Sequence, residues 1–135
     1  AARPMNQRSG SQDARRRAER RGHGAEAAAA LFLRLKGYRI LEQRFRCAAG
    51  EIDLIARRGS RIAFIEVKAR NTRTAGLEAL GLAQQRRIVR SAAFWLARQQ
   101  ERGTLPSNYV ASLDLLVINP WRWPLHLQAA FEAPM

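Results

Sequence analysis

Two carboxylates and one lysine interrupt apolar segments near the middle of the chain. Asp53 stands in Ile-Asp-Leu-Ile, and Glu66 and Lys68 stand in Phe-Ile-Glu-Val-Lys. Asp, Glu and Lys are rarely buried without a partner. Two adjacent carboxylates can bind a divalent cation such as Mg²⁺, and a lysine beside the metal can orient or deprotonate an attacking water. This combination suits hydrolysis of a phosphodiester, and the alternative is a solvated cluster of ion pairs.

The segment between these residues predicts a β-hairpin that brings them together. Apolar runs at 52–56 and 62–67 flank Gly59-Ser60, a pair typical of a two-residue turn. That turn places Asp53 directly opposite Glu66, with the Cβ atoms about 5 Å apart. A four-residue loop keeps this register, whereas an odd-length loop with a bulge shifts it by one residue.

Side chains two apart on a strand share one face of the sheet. The residues predicted to converge on one face are Glu51, Asp53, Glu66 and Lys68. The residues predicted for the opposite face are Ile52, Leu54, Ile65 and Val67. The hairpin is therefore expected to have one charged face and one apolar face.

These residues resemble a known motif and a known family. Asp53, followed after twelve residues by Glu66-Val67-Lys68, resembles the PD-(D/E)XK signature of the restriction-endonuclease-like superfamily. The segments Gly-Glu-Ile-Asp-Leu-Ile-Ala and Phe-Ile-Glu-Val-Lys-Ala-Arg are similar to those of the uncharacterised bacterial YraN family, described as distantly related to Holliday-junction resolvases. The resemblance extends from about Gly22 to Phe131.

The resemblance implies a role for each matching residue. Asp53 and Glu66 would be metal ligands for Mg²⁺ or Mn²⁺, and Lys68 would be the catalytic lysine. Glu26 would be an acidic residue that the first helix contributes to the metal site. From its position alone, Glu26 would be read as a favourable charge in the first turn of a helix.

For other positions of the family pattern, the resemblance implies no definite role or the residue differs. Glu51 and Asp114 match acidic positions whose roles the resemblance leaves open. The family's Gly-Glu near the first helix is Ala25-Glu26 here, and a basic position of the second helix, usually lysine, is Gln84. The second departure weakens any phosphate contact at that position.

The composition is strongly basic. Twenty-four Lys and Arg residues against 11 Asp and Glu residues give a formal net charge of +13. Such a surplus favours polyanionic partners, with nucleic acid, DNA above all, as the leading candidate. The lysines are Lys36 and Lys68, so arginine supplies nearly all of this charge, and an arginine-rich genome composition is the alternative explanation.

The sequence also predicts the domain organisation. Residues 1–21 form a basic N-terminal arm or helix, and 22–135 form a single endonuclease-like domain. The single cysteine, Cys47, excludes a disulfide within the chain. Because no apolar run approaches the roughly 20 residues of a membrane span, and no signal peptide is evident, we expect a cytoplasmic protein without a membrane partner.

Hydrophobic periodicity predicts the remaining elements. Helices are expected at 25–36 and 80–99, a loop at 69–76, and strands beside the hairpin at 38–45, 109–118 and 125–131. The order α-β-β-β-α-β-β predicts an α/β fold, a mixed sheet flanked by helices, because the long helix acts as a crossover. This order agrees with a restriction-endonuclease-like core.

Five polar residues near the hairpin are candidates for contacting nucleic acid. They are Arg70 and Arg73 in the loop after Lys68, and Gln84, Arg86 and Arg90 on the polar face of the second long helix. Amide and guanidinium groups both donate hydrogen bonds to phosphate oxygens. A plain solvated surface is the alternative.

Three further features have two interpretations each. Asp114 interrupts an apolar strand, either as a further member of the site or, as we favour, as a satisfied buried carboxylate. Trp121-Arg122-Trp123 suits stacking of unpaired bases, although packing in the core is more common for aromatic residues. His126 is expected to be a hydrogen-bonded surface histidine and not a metal ligand.

The leading hypothesis is a metal-dependent DNA endonuclease acting on branched or damaged DNA. Asp53 and Glu66 would hold the metal, with Glu26 contributing directly or through water. The alternatives are a non-catalytic nucleic-acid-binding module of the same fold and a protein-interaction scaffold. Related resolvases work as dimers, so a homodimer is a further expectation, although no residue here identifies its interface.

Overall fold

The computed structural model describes residues 24–131, so the predicted basic arm at 1–21 lies outside the described residues. The elements are α1 (24–35), β1 (Arg39–Cys47), β2 (Gly50–Arg58), β3 (Arg61–Ala69), α2 (Arg73–Ala79), α3 (Leu82–Arg102), β4 (Val110–Ile118) and β5 (Leu125–Leu127). No helix in this part of the chain is long and apolar enough to cross a membrane.

The strands form one mixed sheet in the order β1-β2-β3-β4-β5. Strand β3 pairs with β4 in parallel, and the other neighbouring pairs are antiparallel. A parallel pair needs a long crossover connection, which α2 and α3 provide. This confirms the predicted α/β fold with a mixed sheet and agrees with a restriction-endonuclease-like core.

The central hairpin has the predicted register. Its ladder runs from Arg58 opposite Arg61 to Leu54 opposite Ile65. Gly59 has a φ of 60°, in the left-handed region that glycine adopts without a steric penalty. The two-residue turn at Gly59-Ser60 is therefore confirmed, and with it the alignment of β2 and β3.

Helices cover both faces of the sheet. On one face, α1 packs through Ala25, Ala29, Ala30 and Leu33 against Leu54, Ile65 and Val67. On the other face, α3 packs through Ile88, Ala92 and Trp95 against Ile52, Ile55 and Phe64. The prediction for Ile52 was wrong, because the pairing of β2 with β1 is interrupted at Asp53, and Ile52 then pairs with Phe45, which also packs on the α3 side.

The segment after the hairpin differs from the predicted loop. Helix α2 begins within it, and the Thr72 side chain caps the helix by accepting a hydrogen bond from the Ala75 N–H at 3.0 Å. A Cβ atom at Gly76 would lie only 2.6 Å from Cγ2 of Val117 in β4. Glycine therefore permits the close approach of α2 to the sheet.

Replacing Gly76 with alanine should destabilise the protein by about 1–3 kcal/mol, the usual cost of overpacking. Urea denaturation would measure the change. The double variant Gly76→Ala/Val117→Ala should be no less stable than Val117→Ala alone, because the clashing methyl group is then absent. Additive losses in the double variant would contradict this packing explanation.

Candidate metal and nucleic-acid site

Asp53 and Glu66 occupy the positions immediately beyond the hydrogen-bonded ladder of the hairpin. The last ladder pair is Leu54 and Ile65, and Asp53 and Glu66 are the next residues on the two strands. Oδ2 of Asp53 accepts a hydrogen bond from the Val67 N–H at 2.8 Å. The carboxylate thus satisfies a backbone donor where the strands separate, which holds it between β2 and β3.

Glu66, Lys68 and Gln84 form a closed triangle of polar contacts. Nζ of Lys68 lies 3.2 Å from Oε1 of Glu66, and it donates to Oε1 of Gln84 at 3.2 Å. The Gln84 amide in turn donates to Oε1 of Glu66 at 2.7 Å. The side chains of Lys68 and Glu66 are only 16% and 7% exposed. The lysine is therefore held in one position beside the carboxylates.

The electrostatics of the carboxylate pair favour a bound cation. Burial and the neighbouring charge of Glu66 raise the pKa of Asp53 to about 8, against the opposing effect of the Val67 N–H. Burial also raises the pKa of Glu66, although Lys68 and Gln84 oppose this. Without a cation the pair therefore retains a proton near neutral pH, and a divalent ion would offset its negative charge.

The raised pKa of Asp53 has a consequence for stability. Between its ordinary pKa of 3.8 and the folded value of about 8, the carboxyl ionises more readily in the unfolded chain. Its contribution to stability is therefore present at low pH and is lost as the pH rises. We expect the free energy of unfolding in EDTA to fall by up to roughly 6 kcal/mol across this window, because the two pKa values differ by about four units and one unit corresponds to about 1.4 kcal/mol.

Urea denaturation at several pH values would measure this slope. Asp53→Asn should flatten the slope, because asparagine does not titrate there, and Mn²⁺ should restore stability at the alkaline end of the window. An equal slope in the wild type and Asp53→Asn would assign the effect to other groups.

Glu26 lies close enough for its charge to contribute to the raised pKa of Asp53, but its carboxylate is already engaged. Oε2 of Glu26 accepts a hydrogen bond from Nε of Arg44 at 2.7 Å. Within residues 24–131 no cluster of three or more His, Cys, Asp or Glu side chains is arranged to hold a metal. Direct metal binding by Glu26 would therefore require the ion pair with Arg44 to open.

Comparison with known sequences places the chain in a family. Residues 25–118 match the family model described as "Uncharacterised protein family UPF0102". The chain belongs to this family. The resemblance to YraN proteins is thereby confirmed, since they are UPF0102 proteins. The matched span contains Asp53, Glu66, Lys68 and Gln84.

Related proteins cover most of the chain. A UPF0102 protein of Mesorhizobium japonicum is 49% identical over 117 residues, which is 87% of this chain and 90% of the relative. A UPF0102 protein of Methylorubrum populi is 51% identical over 120 residues, covering 88% and 93%, respectively. These names assign no activity, so the function of this UPF0102 protein has to be argued from its site.

The sequence analysis did not predict that Gln84 contacts Glu66 and Lys68. It was assigned to the polar face of α3, whereas its amide bridges Glu66 and Lys68. Its spacing offered a signal, because Gln84 lies one helical turn before the buried Ile88 and so begins the buried stripe. A polar residue at the head of such a stripe can reach a polar group on the sheet below.

The two remaining acidic candidates of this UPF0102 protein lie in different environments. Glu51 is 42% exposed and pairs with Arg46 at 3.5 Å. Asp114 is fully buried and accepts hydrogen bonds from the Ser112 hydroxyl and from the Ala129 N–H. Asp114 lies on the same face of β4 as Leu116, which packs on the α1 side, whereas Glu66 lies on the same face of β3 as Phe64, which packs on the α3 side. Asp114 is therefore a satisfied carboxylate outside the pair, as favoured.

His126 completes the surroundings of Asp114. Its Nε2 lies 2.7 Å from Oδ2 of Asp114, and its Nδ1 lies 2.7 Å from Nζ of Lys36. Lys36 can only donate, so Nδ1 accepts and the Nε2–H group donates to Asp114. The predicted hydrogen bonding is confirmed, but the surface position was wrong, because the His126 side chain is only 2% exposed.

Hydrogen bonding also sets the ionisation of Asp114. Burial acts to raise the pKa of Asp114, but hydrogen bonds from His126, Ser112 and the Ala129 N–H outweigh it and hold the pKa below its ordinary value. Asp114 thus remains ionised at neutral pH, unlike Asp53.

The four arginines predicted to contact nucleic acid are all exposed: Arg70, Arg73, Arg86 and Arg90. The first two follow β3, directly after Lys68, and the other two lie on α3, which also carries Gln84. Phosphate contact by these four arginines stays a prediction.

Proposed function

We propose that this UPF0102 protein is a metal-dependent nuclease that hydrolyses phosphodiester bonds in DNA. The observation that carries the proposal is the half-buried carboxylate pair of Asp53 and Glu66 with Lys68 held beside it. Two carboxylates whose pKa values are raised by burial are suited to Mg²⁺ or Mn²⁺, which prefer oxygen ligands. The net charge of +13 supports a polyanionic substrate.

Each protein group has a distinct task in this proposal. Asp53 and Glu66 would hold the cation, which would supply positive charge to the phosphate and activate a water. Lys68 would donate to the attacking water or to the phosphate oxygen on which negative charge develops. Gln84 positions the ammonium group of Lys68 through the hydrogen bond at 3.2 Å.

The second candidate function is a nucleic-acid-binding module without turnover. It is favoured by one observation: basic side chains already pair with two of the acids, Lys68 with Glu66 and Arg44 with Glu26. Such a module would bind DNA or RNA with strong salt dependence, because binding releases counterions. Divalent metal would leave its affinity unchanged.

Cleavage assays on labelled branched, single-stranded and duplex DNA would test the proposal. We expect cleavage in Mn²⁺ or Mg²⁺ and none in EDTA. Lys68→Ala should reduce the rate by about a hundredfold, within the usual range for a general acid–base group. Arg46→Ala, which removes only an exposed ion pair with Glu51, is the matched control. Equal rates in the wild type and Lys68→Ala would contradict the assignment.

A further inference from the structure

The segment between β4 and β5 carries two tryptophans that do not pack in the hydrophobic core. Trp121 and Trp123 are 89% and 83% exposed, so the core packing expected for aromatic residues does not apply here. Arg122 stands between them and is exposed as well. Exposing two indole groups to water is unfavourable, which makes a binding role the natural explanation.

This segment is held in place and does not hang freely from the sheet. The Trp121 N–H donates to Oδ1 of Asn119 at 2.9 Å, and the Asn119 amide donates to the Asn71 carbonyl at 2.9 Å. Pro120 and Pro124 flank the aromatic residues, and proline restricts the backbone. The indole groups are therefore presented to solvent by a restrained backbone, which lowers the entropic cost of binding.

The position of the segment links it to the carboxylate pair. Strands β3 and β4 are parallel, with Lys68 opposite Val117, so both strands end at the same edge of the sheet. The Arg70 N–H donates to the Ile118 carbonyl at 3.1 Å, which joins the two segments that leave this edge. A polymer crossing this edge would meet Lys68 and Trp121 in succession.

Trp123 lies on the α1 side of that edge. The ring centroids of Trp123 and Phe32 are 6.4 Å apart, and Nζ of Lys36 lies 5.4 Å from the Phe32 centroid. Gln84 approaches the carboxylate pair from α3, on the other side of the sheet. Lys36 thus borders an aromatic surface formed by Phe32 and Trp123. The edge of the sheet separates this surface from α3.

We propose that Trp121-Arg122-Trp123 is a stacking site for unpaired bases, and that DNA with a single-stranded segment is the substrate class of the proposed nuclease. Indole and guanidinium planes stack on bases without regard to sequence, but only where the bases are not already paired and stacked in a duplex. The catalytic meaning of this site rests on the proposed function, whereas the binding does not.

Charge decides between nucleic acid and an apolar protein partner. Arg122 stands between the two tryptophans, Lys36 contacts the Phe32 ring beside Trp123, and the whole chain carries a net charge of +13. A polyanion would be attracted to this surface, whereas a buried protein interface would have to desolvate Arg122. Single-stranded nucleic acid offers both the phosphate charge and the free base planes.

Binding measurements in EDTA separate this site from catalysis. We would titrate labelled oligothymidylate and a blunt duplex of equal length at one fixed salt concentration. Trp121→Ala/Trp123→Ala should weaken oligothymidylate binding by at least about tenfold and leave duplex binding unchanged. Oligothymidylate should also quench the intrinsic fluorescence of the wild type but not of the variant, whose remaining Trp95 is buried.

Phe94→Ala is the matched control, because it removes an exposed aromatic ring from α3. It should retain single-strand affinity, and thermal melts should confirm that the variants are folded. Equal losses on single strand and duplex, or no loss on either, would overturn the proposal. An altered sedimentation coefficient of the protein with unchanged DNA affinity would also overturn it, in favour of an interface between copies.

DNA cleavage is measured in Mn²⁺, in an assay separate from the binding measurements in EDTA. A wild type that prefers oligothymidylate but cleaves nothing would contradict the proposed nuclease and leave the stacking site standing. A wild type that cleaves DNA without any single-strand preference would contradict the stacking site and leave the nuclease standing.

Discussion

Asp53→Asn should abolish Mn²⁺ binding and metal-dependent cleavage while making the metal-free protein more stable above neutral pH. Asparagine keeps the size of the side chain and an oxygen that can accept the Val67 N–H, but it removes a carboxylate whose burial raises its pKa to about 8. We expect cleavage to fall at least about a hundredfold, equivalent to about 2.7 kcal/mol of transition-state stabilisation. Calorimetric Mn²⁺ titration, cleavage rates and urea denaturation would measure the three effects.

The matched control for this variant is Glu51→Gln. It also neutralises one carboxylate of β2, but Glu51 is exposed and only pairs with Arg46. It should change stability by less than about 1 kcal/mol, as is usual for exposed ion pairs, and leave metal binding intact. Wild-type Mn²⁺ affinity in Asp53→Asn would contradict the metal site. If Asp53→Asn is more stable than the wild type but the wild type does not bind Mn²⁺, the carboxylate pair has a purely structural role.

Asp114→Asn should have the opposite effect on stability and lower it by about 1–3 kcal/mol for each buried donor that is left without an acceptor. Asp114 is fully buried and accepts hydrogen bonds from His126, from the Ser112 hydroxyl and from the Ala129 N–H. An amide offers one acceptor in place of two, and it leaves the nearby cations without their counter-charge. Urea denaturation near neutral pH would measure the loss.

A second substitution keeps this prediction testable if the single variant is poorly folded. Lys36 contacts the other nitrogen of His126, so Lys36→Met removes one of the cations that Asp114 compensates. The loss caused by Asp114→Asn should be smaller in the Lys36→Met background than in the wild type. Additive losses would show that the two residues do not belong to one network.

The low pKa of Asp114 adds a pH dependence of its own. Because the folded-state pKa lies below the ordinary value, the contribution of Asp114 to stability is present above pH 4 and is lost as the pH falls through the folded value. Acid should therefore destabilise the fold through Asp114, and alkali through Asp53. The two buried carboxylates differ because hydrogen-bond donors surround Asp114, whereas the main neighbour of Asp53 is another carboxylate.

This contrast separates a structural acid from a candidate functional one. The hydrogen bonds of Asp114 join β4 to His126 of β5, and Lys36 extends the network to the end of α1. The same network lies beneath the segment that presents Trp123 beside Phe32. Asp53 accepts a hydrogen bond from a single backbone donor, so a cation can replace the proton that its raised pKa retains.

The sequence by itself determined the hairpin and the carboxylate pair. Alternating apolar residues and the Gly59-Ser60 turn set the register of β2 and β3, because these strands are adjacent in the chain and a short turn leaves few alternatives. That register brings Asp53 and Glu66 to the same end of the ladder, and the hydrogen bond from the Val67 N–H to Asp53 then fixes the carboxylate there. The order of helices and strands likewise predicted the mixed sheet, since a parallel pair needs a helical crossover.

Only the tertiary structure decided the partners that come from distant parts of the chain. Gln84 is 16 and 18 residues from Lys68 and Glu66, and Lys36 is 90 residues from His126. Such contacts depend on how α1 and α3 pack on opposite faces of the sheet, and periodicity alone does not set that packing. The same packing decides the burial of His126 and the exposure of Trp121. His126 lies on the short edge strand β5 and contacts Lys36 at the end of α1, whereas Trp121 lies in the preceding segment, which remains in solvent.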